Sequence, residues 1–120
     1  MKAVLDTNIL IDLLKGREEA NTEVGRYASL AISRISRIEV LIGTTSAEDQ
    51  DRTESLLNFF EVIELDEVIA RAAIWLRRQH HRLRLPDAII WATARVRNYL
   101  FVTRDARDFP VDDPGIRVPY

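Results

Sequence analysis

Short apolar segments alternate with longer segments of helical periodicity along the chain, and this alternation constrains the fold more than any other feature. The apolar runs are rich in β-branched and aromatic residues and predict strands at 3–5, 30–32, 60–63, 99–102 and 116–118. The segments between them have the spacing of amphipathic or buried helices, at about 8–14, 20–28, 37–43, 47–59, 66–82 and 86–97. Strands that alternate with helices favour a mostly parallel sheet covered on both faces. We therefore predict an α/β fold with a mostly parallel central sheet of four to five strands.

The composition excludes several classes of protein. The 120 residues are 47% hydrophobic and 30% charged, and no linker or repeat divides them, so we expect one domain over 1–120. The absence of cysteine excludes a disulfide framework, a thiolate zinc site and a cysteine nucleophile. No segment reaches the ~18 consecutive apolar residues of a membrane span, and Asp6 interrupts the apolar run that a signal peptide would continue. We expect a cytoplasmic protein without membrane contact.

Four acidic residues are placed along the chain so that a parallel sheet would bring them to one edge. Asp6 directly follows the first predicted strand, and Asp105 follows the fourth. Asp87 begins the helix that leads into the fourth strand, and Glu39 lies in the first turn of the helix that follows the second. Ligands of such sheets gather outside the carboxyl ends of the strands. The four carboxylates should therefore converge there.

Converging carboxylates repel one another, and a hard divalent cation such as Mg²⁺ or Mn²⁺ removes that conflict because it prefers oxygen ligands. Such a cation can promote phosphodiester hydrolysis. Each acid also has a structural interpretation. Asp6 could cap the next helix, Ser36 and Glu39 match a capping box, Asp87 suits a first helical turn, and Asp105 could stabilise a turn.

The segments around these acids resemble the four acidic motifs of the PIN-domain ribonucleases and, within that family, of the VapC-type toxins of toxin–antitoxin pairs. The segments are 4–11 (VLDTNILI), 36–43 (SRIEVLIG), 83–94 (LRLPDAIIWATA) and 102–109 (VTRDARDF). The third resembles its motif most closely. Their order and spacing agree with the family across nearly the whole chain, so that the four motifs together are far more specific than any one of them.

The resemblance implies a three-layer α/β/α sandwich, Mg²⁺- or Mn²⁺-dependent endonucleolytic cleavage of RNA, inhibition by a small cognate antitoxin protein, and a homodimer. It implies that the metal is held by Asp6, Glu39, Asp87 and Asp105. The residues that would orient these ligands are Thr7, Asn8, Ser36 and Thr103. Members of the family vary at the fourth motif, and here Asp105 and Asp108 are both present. We favour Asp105 because it is nearer the end of the strand.

A basic segment from Arg71 to Arg84 precedes Asp87, and no acidic residue lies between Glu67 and Asp87. It could contact RNA phosphates, or it could be a solvated helix face. The candidates for RNA contact are Arg78, Arg82, Arg84 and Arg104. The aromatic residues that we assign to the core rather than to base stacking are Trp75, Trp91, Phe59 and Phe60. The apolar faces of the helices near 8–14 and 47–59 fit a dimer interface, an antitoxin groove or the core.

Two other functions compete with the ribonuclease hypothesis. A phosphoacceptor receiver domain has a similar length, a parallel sheet and clustered acids, but it requires an acidic pair after the first strand and a late lysine. The only lysines here are Lys2 and Lys15. A catalytically inactive PIN domain that acts as a binding module is the second alternative, and the presence of all four acids argues against it.

Overall fold

A parallel sheet forms the centre of the molecule, which a computed structural model describes over all of residues 1–120. Its five strands are β1 (Lys2–Leu5), β2 (Ser29–Ser33), β3 (Glu61–Ile63), β4 (Leu100–Val102) and β5 (Ile116–Arg117). They are ordered β3-β2-β1-β4-β5, and every neighbouring pair is parallel. The predicted α/β fold with a parallel sheet is confirmed, and each strand lies within a residue of its predicted position.

Six helices connect and cover the strands. They are α1 (Thr7–Leu14), α2 (Glu18–Val24), α3 (Arg34–Ile42), α4 (Ala47–Leu57), α5 (Glu67–Gln79) and α6 (Leu85–Arg97). Asp66 caps α5 as predicted, since its Oδ1 accepts a hydrogen bond of 2.9 Å from the backbone N–H of Ile69. The helix α6 has Pro86 in its first turn and ends at Asn98, whose φ of +57° is a left-handed conformation that asparagine tolerates better than most residues.

The helix α3 begins three residues earlier than the sequence predicts. Ser33, the last residue of β2, is its N-cap, and the Ser33 hydroxyl accepts from the N–H of Ile35 at 3.1 Å. The strand therefore continues directly into the helix. Ser36 is fully buried inside α3 and Glu39 lies in its second turn, so the capping-box interpretation of these two residues, and the placement of Glu39 in the first turn, are wrong. Helix capping does not explain why an acid stands at position 39.

The sheet separates two apolar clusters, which gives the three layers that the resemblance implies. Along β1, Val4 faces the side covered by α5 and α6, whereas Ala3 and Leu5 face the side covered by α1, α3 and α4. Trp91 of α6 is a large, almost fully buried residue on the first side. Leu57 of α4 occupies a comparable place on the second. None of the helices is both long and apolar enough to cross a membrane.

Two of the four aromatic residues assigned to the core are not there. Trp91 and Phe60 are buried, as predicted, but Trp75 is 52% exposed and Phe59 is 84% exposed. The inward face of α5 carries Leu76, and the residue before it points about 100° away around the helix. Trp75 instead lies beneath the guanidinium of Arg95, at 5.5 Å from the ring centre.

Candidate metal centre

The acids gather at the point where the connections of the sheet change direction. From the central strand β1 the chain proceeds to β2 on one side, whereas β4 lies on the other side of β1. A crevice opens at such a point outside the carboxyl ends of the two strands. Asp6 follows β1, and the loop that begins at Thr103 follows β4, so both segments border this crevice.

Asp6 is buried and fixed by hydrogen bonds from three neighbours. It is 4% exposed, and as N-cap of α1 its Oδ1 accepts from the backbone N–H of Thr7 at 2.7 Å. Its Oδ2 accepts from the hydroxyl of Thr103 at 2.7 Å and from the side-chain amide of Asn8 at 3.3 Å. The capping interpretation is therefore correct for Asp6, and the three hydrogen bonds hold its carboxylate in a defined orientation.

The pKa of Asp6 is raised to about 7, chiefly by burial and to a smaller extent by repulsion from Asp87 and Glu39. The hydrogen bonds from Thr103 and Thr7 act in the opposite direction because they stabilise the carboxylate. The charge of Asp6 is thus poorly accommodated by the protein alone.

Glu39 is joined to α1 through a second pair of hydroxyl residues. The hydroxyl of Thr7 donates to Oε1 of Glu39 at 2.7 Å and lies 3.0 Å from the hydroxyl of Ser36. Ser36 is fully buried, so this contact ties α1 to α3 beneath the crevice. The residues predicted to orient the acids, Thr7, Asn8, Ser36 and Thr103, all contact an acid or one another here.

Asp87, Asp105 and Asp108 approach one another most closely. One carboxylate oxygen from each lies within 4.8 Å of the other two, and all three side chains are partly buried. The pKa of Asp87 is raised to about 6, chiefly by burial and in addition by the charges of Glu39, Asp105 and Asp108, whereas Arg84 opposes the shift. Asp6 and Glu39 adjoin this group and interact with Asp87 through their charges.

The turn after β4 explains why both Asp105 and Asp108 face the crevice. Oδ1 of Asp105 accepts from the backbone N–H groups of Arg107 at 2.9 Å and of Asp108 at 3.1 Å. The N–H of Asp105 donates to the Thr103 hydroxyl at 3.0 Å. Asp105 therefore stabilises a turn, as its structural interpretation expected, and this turn brings Asp108 alongside it. The sequence favoured Asp105 as the fourth acid, and the structure brings both acids to the group.

The donor set fits a hard divalent cation. None of the five acids forms a salt bridge, because the ion pairs of the protein involve other carboxylates. Oxygen ligands around Mg²⁺ lie at about 2.1 Å from the ion, which places neighbouring ligands about 3 to 4 Å apart. The three oxygens within 4.8 Å need only small side-chain movements to reach that spacing. A cation bound here would neutralise the repulsion that, together with burial, raises the pKa values of Asp6 and Asp87.

The arginines predicted to contact RNA lie in two environments. Arg78, Arg82 and Arg84 are exposed near the end of α5 and in the loop before α6, and an open cavity of about 270 Å³ next to Asp108 includes Arg82 in its lining. The guanidinium of Arg104, in contrast, pairs with Asp12 at 2.8 Å.

Two buried carboxylates, Asp12 and Glu23, were not predicted from the sequence. Asp12 in α1 is 5% exposed and Glu23 in α2 is 3% exposed, and each is held by arginine and tyrosine side chains. An acid within the apolar segment Ile9-Leu10-Ile11-Asp12-Leu13 is a signal that could have identified Asp12. Glu23 has no comparable signal, because most residues of its helix are polar.

Comparisons with known proteins agree with this geometry. A family model described as PIN domain matches residues 3–111. A curated relative, Ribonuclease VapC10 of Mycobacterium tuberculosis, is 34% identical over an alignment that covers 97% of this chain and 94% of the relative. A solved toxin–antitoxin complex from Klebsiella pneumoniae contains a chain with 39% identity and a TM-score of 0.91, with 98% of each chain covered. VapBC-1 from nontypeable Haemophilus influenzae shares the fold, with 23% identity, a TM-score of 0.81, and 98% of this chain and 97% of that one covered.

Proposed function

The chain belongs to the PIN domain family, and on that premise we propose that it is a divalent-metal-dependent endoribonuclease that acts as the toxin of a toxin–antitoxin pair. The observation that carries this proposal is the group of Asp87, Asp105 and Asp108, with Asp6 and Glu39 beside it and no salt bridge to any of the five. The relationship to a ribonuclease at 34% identity over nearly the full length supports the reaction class.

The acids would hold Mg²⁺ or Mn²⁺ in the crevice. The bound cation would supply a positive charge that makes water more acidic and offsets the negative charge that develops on the phosphate. Thr103 and Asn8 keep the Asp6 carboxylate oriented, and Thr7 does the same for Glu39. This preorganisation means that little rearrangement is required when substrate arrives.

The proposed hydrolysis is an in-line displacement at phosphorus. A carboxylate of the site accepts a proton from the attacking water, the water oxygen bonds to phosphorus, and the bond from phosphorus to the 3′ oxygen breaks. The leaving oxygen takes up a proton, so that the products are a 5′-phosphate and a 3′-hydroxyl. Arg78, Arg82 and Arg84 would contact the flanking phosphates, and RNA binding should weaken as salt increases.

The proposed partners are a cognate antitoxin protein and a second copy of this chain. A relative supports this proposal, because the solved chain with 39% identity belongs to a toxin–antitoxin complex. A cavity of about 360 Å³ between α1, α3 and α4 supports an antitoxin groove, since it is lined by Ile11 and Leu14 and includes Glu39 of the acidic site. A polypeptide bound in this groove would reach the metal centre.

A cleavage assay tests the proposed function. The purified protein should cut RNA in the presence of Mg²⁺ or Mn²⁺, should stop when EDTA removes the cation, and should recover when excess Mn²⁺ is added. The product of the neighbouring reading frame, supplied in equimolar amount, should inhibit the reaction. Undiminished cleavage in EDTA would contradict the metal-dependent mechanism, and absence of cleavage on structured and single-stranded RNA alike would favour the inactive binding module.

Replacement of Thr103 by valine should weaken binding of Mn²⁺ by about 10- to 100-fold, as measured by titration calorimetry. Valine has a similar shape but lacks the hydroxyl that donates to Asp6 and accepts from the N–H of Asp105. The matched control is Thr93→Val. Thr93 is equally buried, but its hydroxyl bonds only to the carbonyl of Ile89 in its own helix. Equal affinities for both variants would show that the Thr103 hydroxyl does not orient the acids.

A further inference from the structure

Asp12 occupies a buried position where three segments of the chain meet. Its Oδ2 accepts from Nε of Arg104 at 2.8 Å and from the hydroxyl of Tyr120 at 2.7 Å. Arg17 lies 3.5 Å from the same oxygen, and its guanidinium stacks over the ring of Tyr120 at 4.5 Å from the centre. The contacts join residues that are 92 and 108 positions apart in sequence. A buried carboxylate with this many donors holds its partners in one arrangement.

Arg104 is the residue immediately before Asp105, at the start of the turn that carries the two acids of the fourth motif. Its backbone N–H donates to Oδ1 of Asn8 at 3.2 Å, while its guanidinium reaches Asp12. Both anchors lie on α1, the helix that Asp6 caps. The start of the turn that carries Asp105 is thus attached to α1, the helix that begins at the buried Asp6.

Tyr120 connects this arrangement to the last residues of the chain. The segment after β5 returns to α1, where the phenol donates to Asp12. The ring lies against the guanidinium of Arg17, which is itself 3.5 Å from the same carboxylate oxygen. Without the phenol hydroxyl, Asp12 would keep both arginines but would lose one charge-assisted hydrogen bond.

We propose that Asp12, Arg104 and Tyr120 form a clamp that positions the turn carrying Asp105 and Asp108, so that these acids are held ready for the cation. The inference rests on the proposed function, and within it Asp12 and Tyr120 are positioning residues that do not touch the substrate. Arg104 then acts as an anchor of the turn instead of a phosphate contact, which differs from the role that the sequence suggested for it.

Titration of the full-length protein with Mn²⁺ in the absence of RNA tests the clamp. Asp12→Asn retains the shape of the side chain but removes its charge, so that the dissociation constant for Mn²⁺ should rise about tenfold or more, in the range found for residues that orient metal ligands. Tyr120→Phe removes only the hydroxyl and should raise the constant by a smaller factor. If Asp12→Asn does not fold, Tyr120→Phe still tests the clamp.

Glu23→Gln is the matched control. Glu23 is as buried as Asp12 and pairs with Arg117 at 2.7 Å and with Tyr27, but it ties α2 to β5 and has no contact with the turn. Its replacement should lower the melting temperature and leave the affinity for Mn²⁺ unchanged. Weakening of metal binding to the same extent in Glu23→Gln as in Asp12→Asn would overturn the clamp, because general destabilisation would then account for both.

Arg104→Gln separates the two roles of this arginine. An anchor predicts weaker binding of Mn²⁺ without RNA, whereas a phosphate contact predicts a higher KM for RNA with unchanged binding of Mn²⁺, and the latter result would overturn the inference. Normal Mn²⁺ binding by the unchanged protein together with normal binding by Asp12→Asn and Tyr120→Phe would refute the clamp alone. Failure of the unchanged protein to bind Mn²⁺ would refute the proposed metal centre and the clamp with it.

Discussion

Replacement of Asp87 by asparagine is expected to reduce divalent-dependent RNA cleavage by more than about a hundredfold while the protein remains folded. Loss of a residue that only orients a metal ligand already costs about 10- to 100-fold, and Asp87 belongs to the group of three acids whose oxygens lie within 4.8 Å. Its charge also interacts with Glu39 and Asp105, so Asp87 lies among the acids that would hold the cation. The cleavage rate at saturating Mg²⁺ and Mn²⁺ is the measurement.

The same variant should be more stable than the unchanged protein when no cation is present. Burial and neighbouring charges raise the pKa of Asp87 to about 6, which means that its ionised form is unfavourable in the folded protein at neutral pH. Asparagine removes this repulsion. The matched control is Asp49→Asn, since Asp49 also lies in the first turn of a helix but pairs with Arg52 outside the acidic group. Undiminished cleavage by a folded Asp87→Asn variant would contradict the assignment of Asp87 to the metal centre.

The second large effect concerns pH and metal together. In EDTA, the protein should lose stability as the pH rises from about 4 to about 7. The pKa values of Asp6 and Asp87 are raised from 3.8 in each case to about 7 and about 6, so the folded state retains protons that the unfolded state has already released. Their contribution to stability is complete below the unfolded pKa and is lost as the pH rises through the folded values. For Asp6 the difference corresponds to several kcal/mol, or a decrease in Tm on the order of 10 °C.

A divalent cation should reverse this loss, because it binds the ionised carboxylates and stabilises the folded state by mass action. Thermal denaturation between about pH 5 and pH 8, in EDTA and in Mn²⁺, measures both effects. The two curves should lie close together at pH 5 and should be farthest apart at pH 8. Asp6→Asn serves as the control, since it removes the group with the largest shift and should flatten the curve in EDTA. A stability that rises between pH 5 and pH 7 in EDTA would contradict the prediction.

Much of the fold could be predicted because its signals are local. The strands are short apolar runs, and the helices have regular apolar spacing, so both can be identified within a window of a few residues. The errors have equally local causes. The helix after β2 begins at Arg34 because Ser33 is both the last residue of the strand and the N-cap of the helix. The sequence predicted a loop between the two elements, and so placed the start of the helix too late. Trp75 is exposed because a shift of one residue around α5 leads from the core to the surface.

The convergence of the acids could be predicted from the sequence, since short connections join Asp6, Glu39, Asp87 and Asp105 to strands whose carboxyl ends a parallel arrangement must align. The folded structure was needed to show that Asp108 joins Asp87 and Asp105, and that Asp12 holds Arg104 and Tyr120. Those contacts depend on the path of a turn and on pairs of side chains about 100 residues apart. No periodic pattern records such pairs, because their energy arises only when distant segments meet in the folded protein.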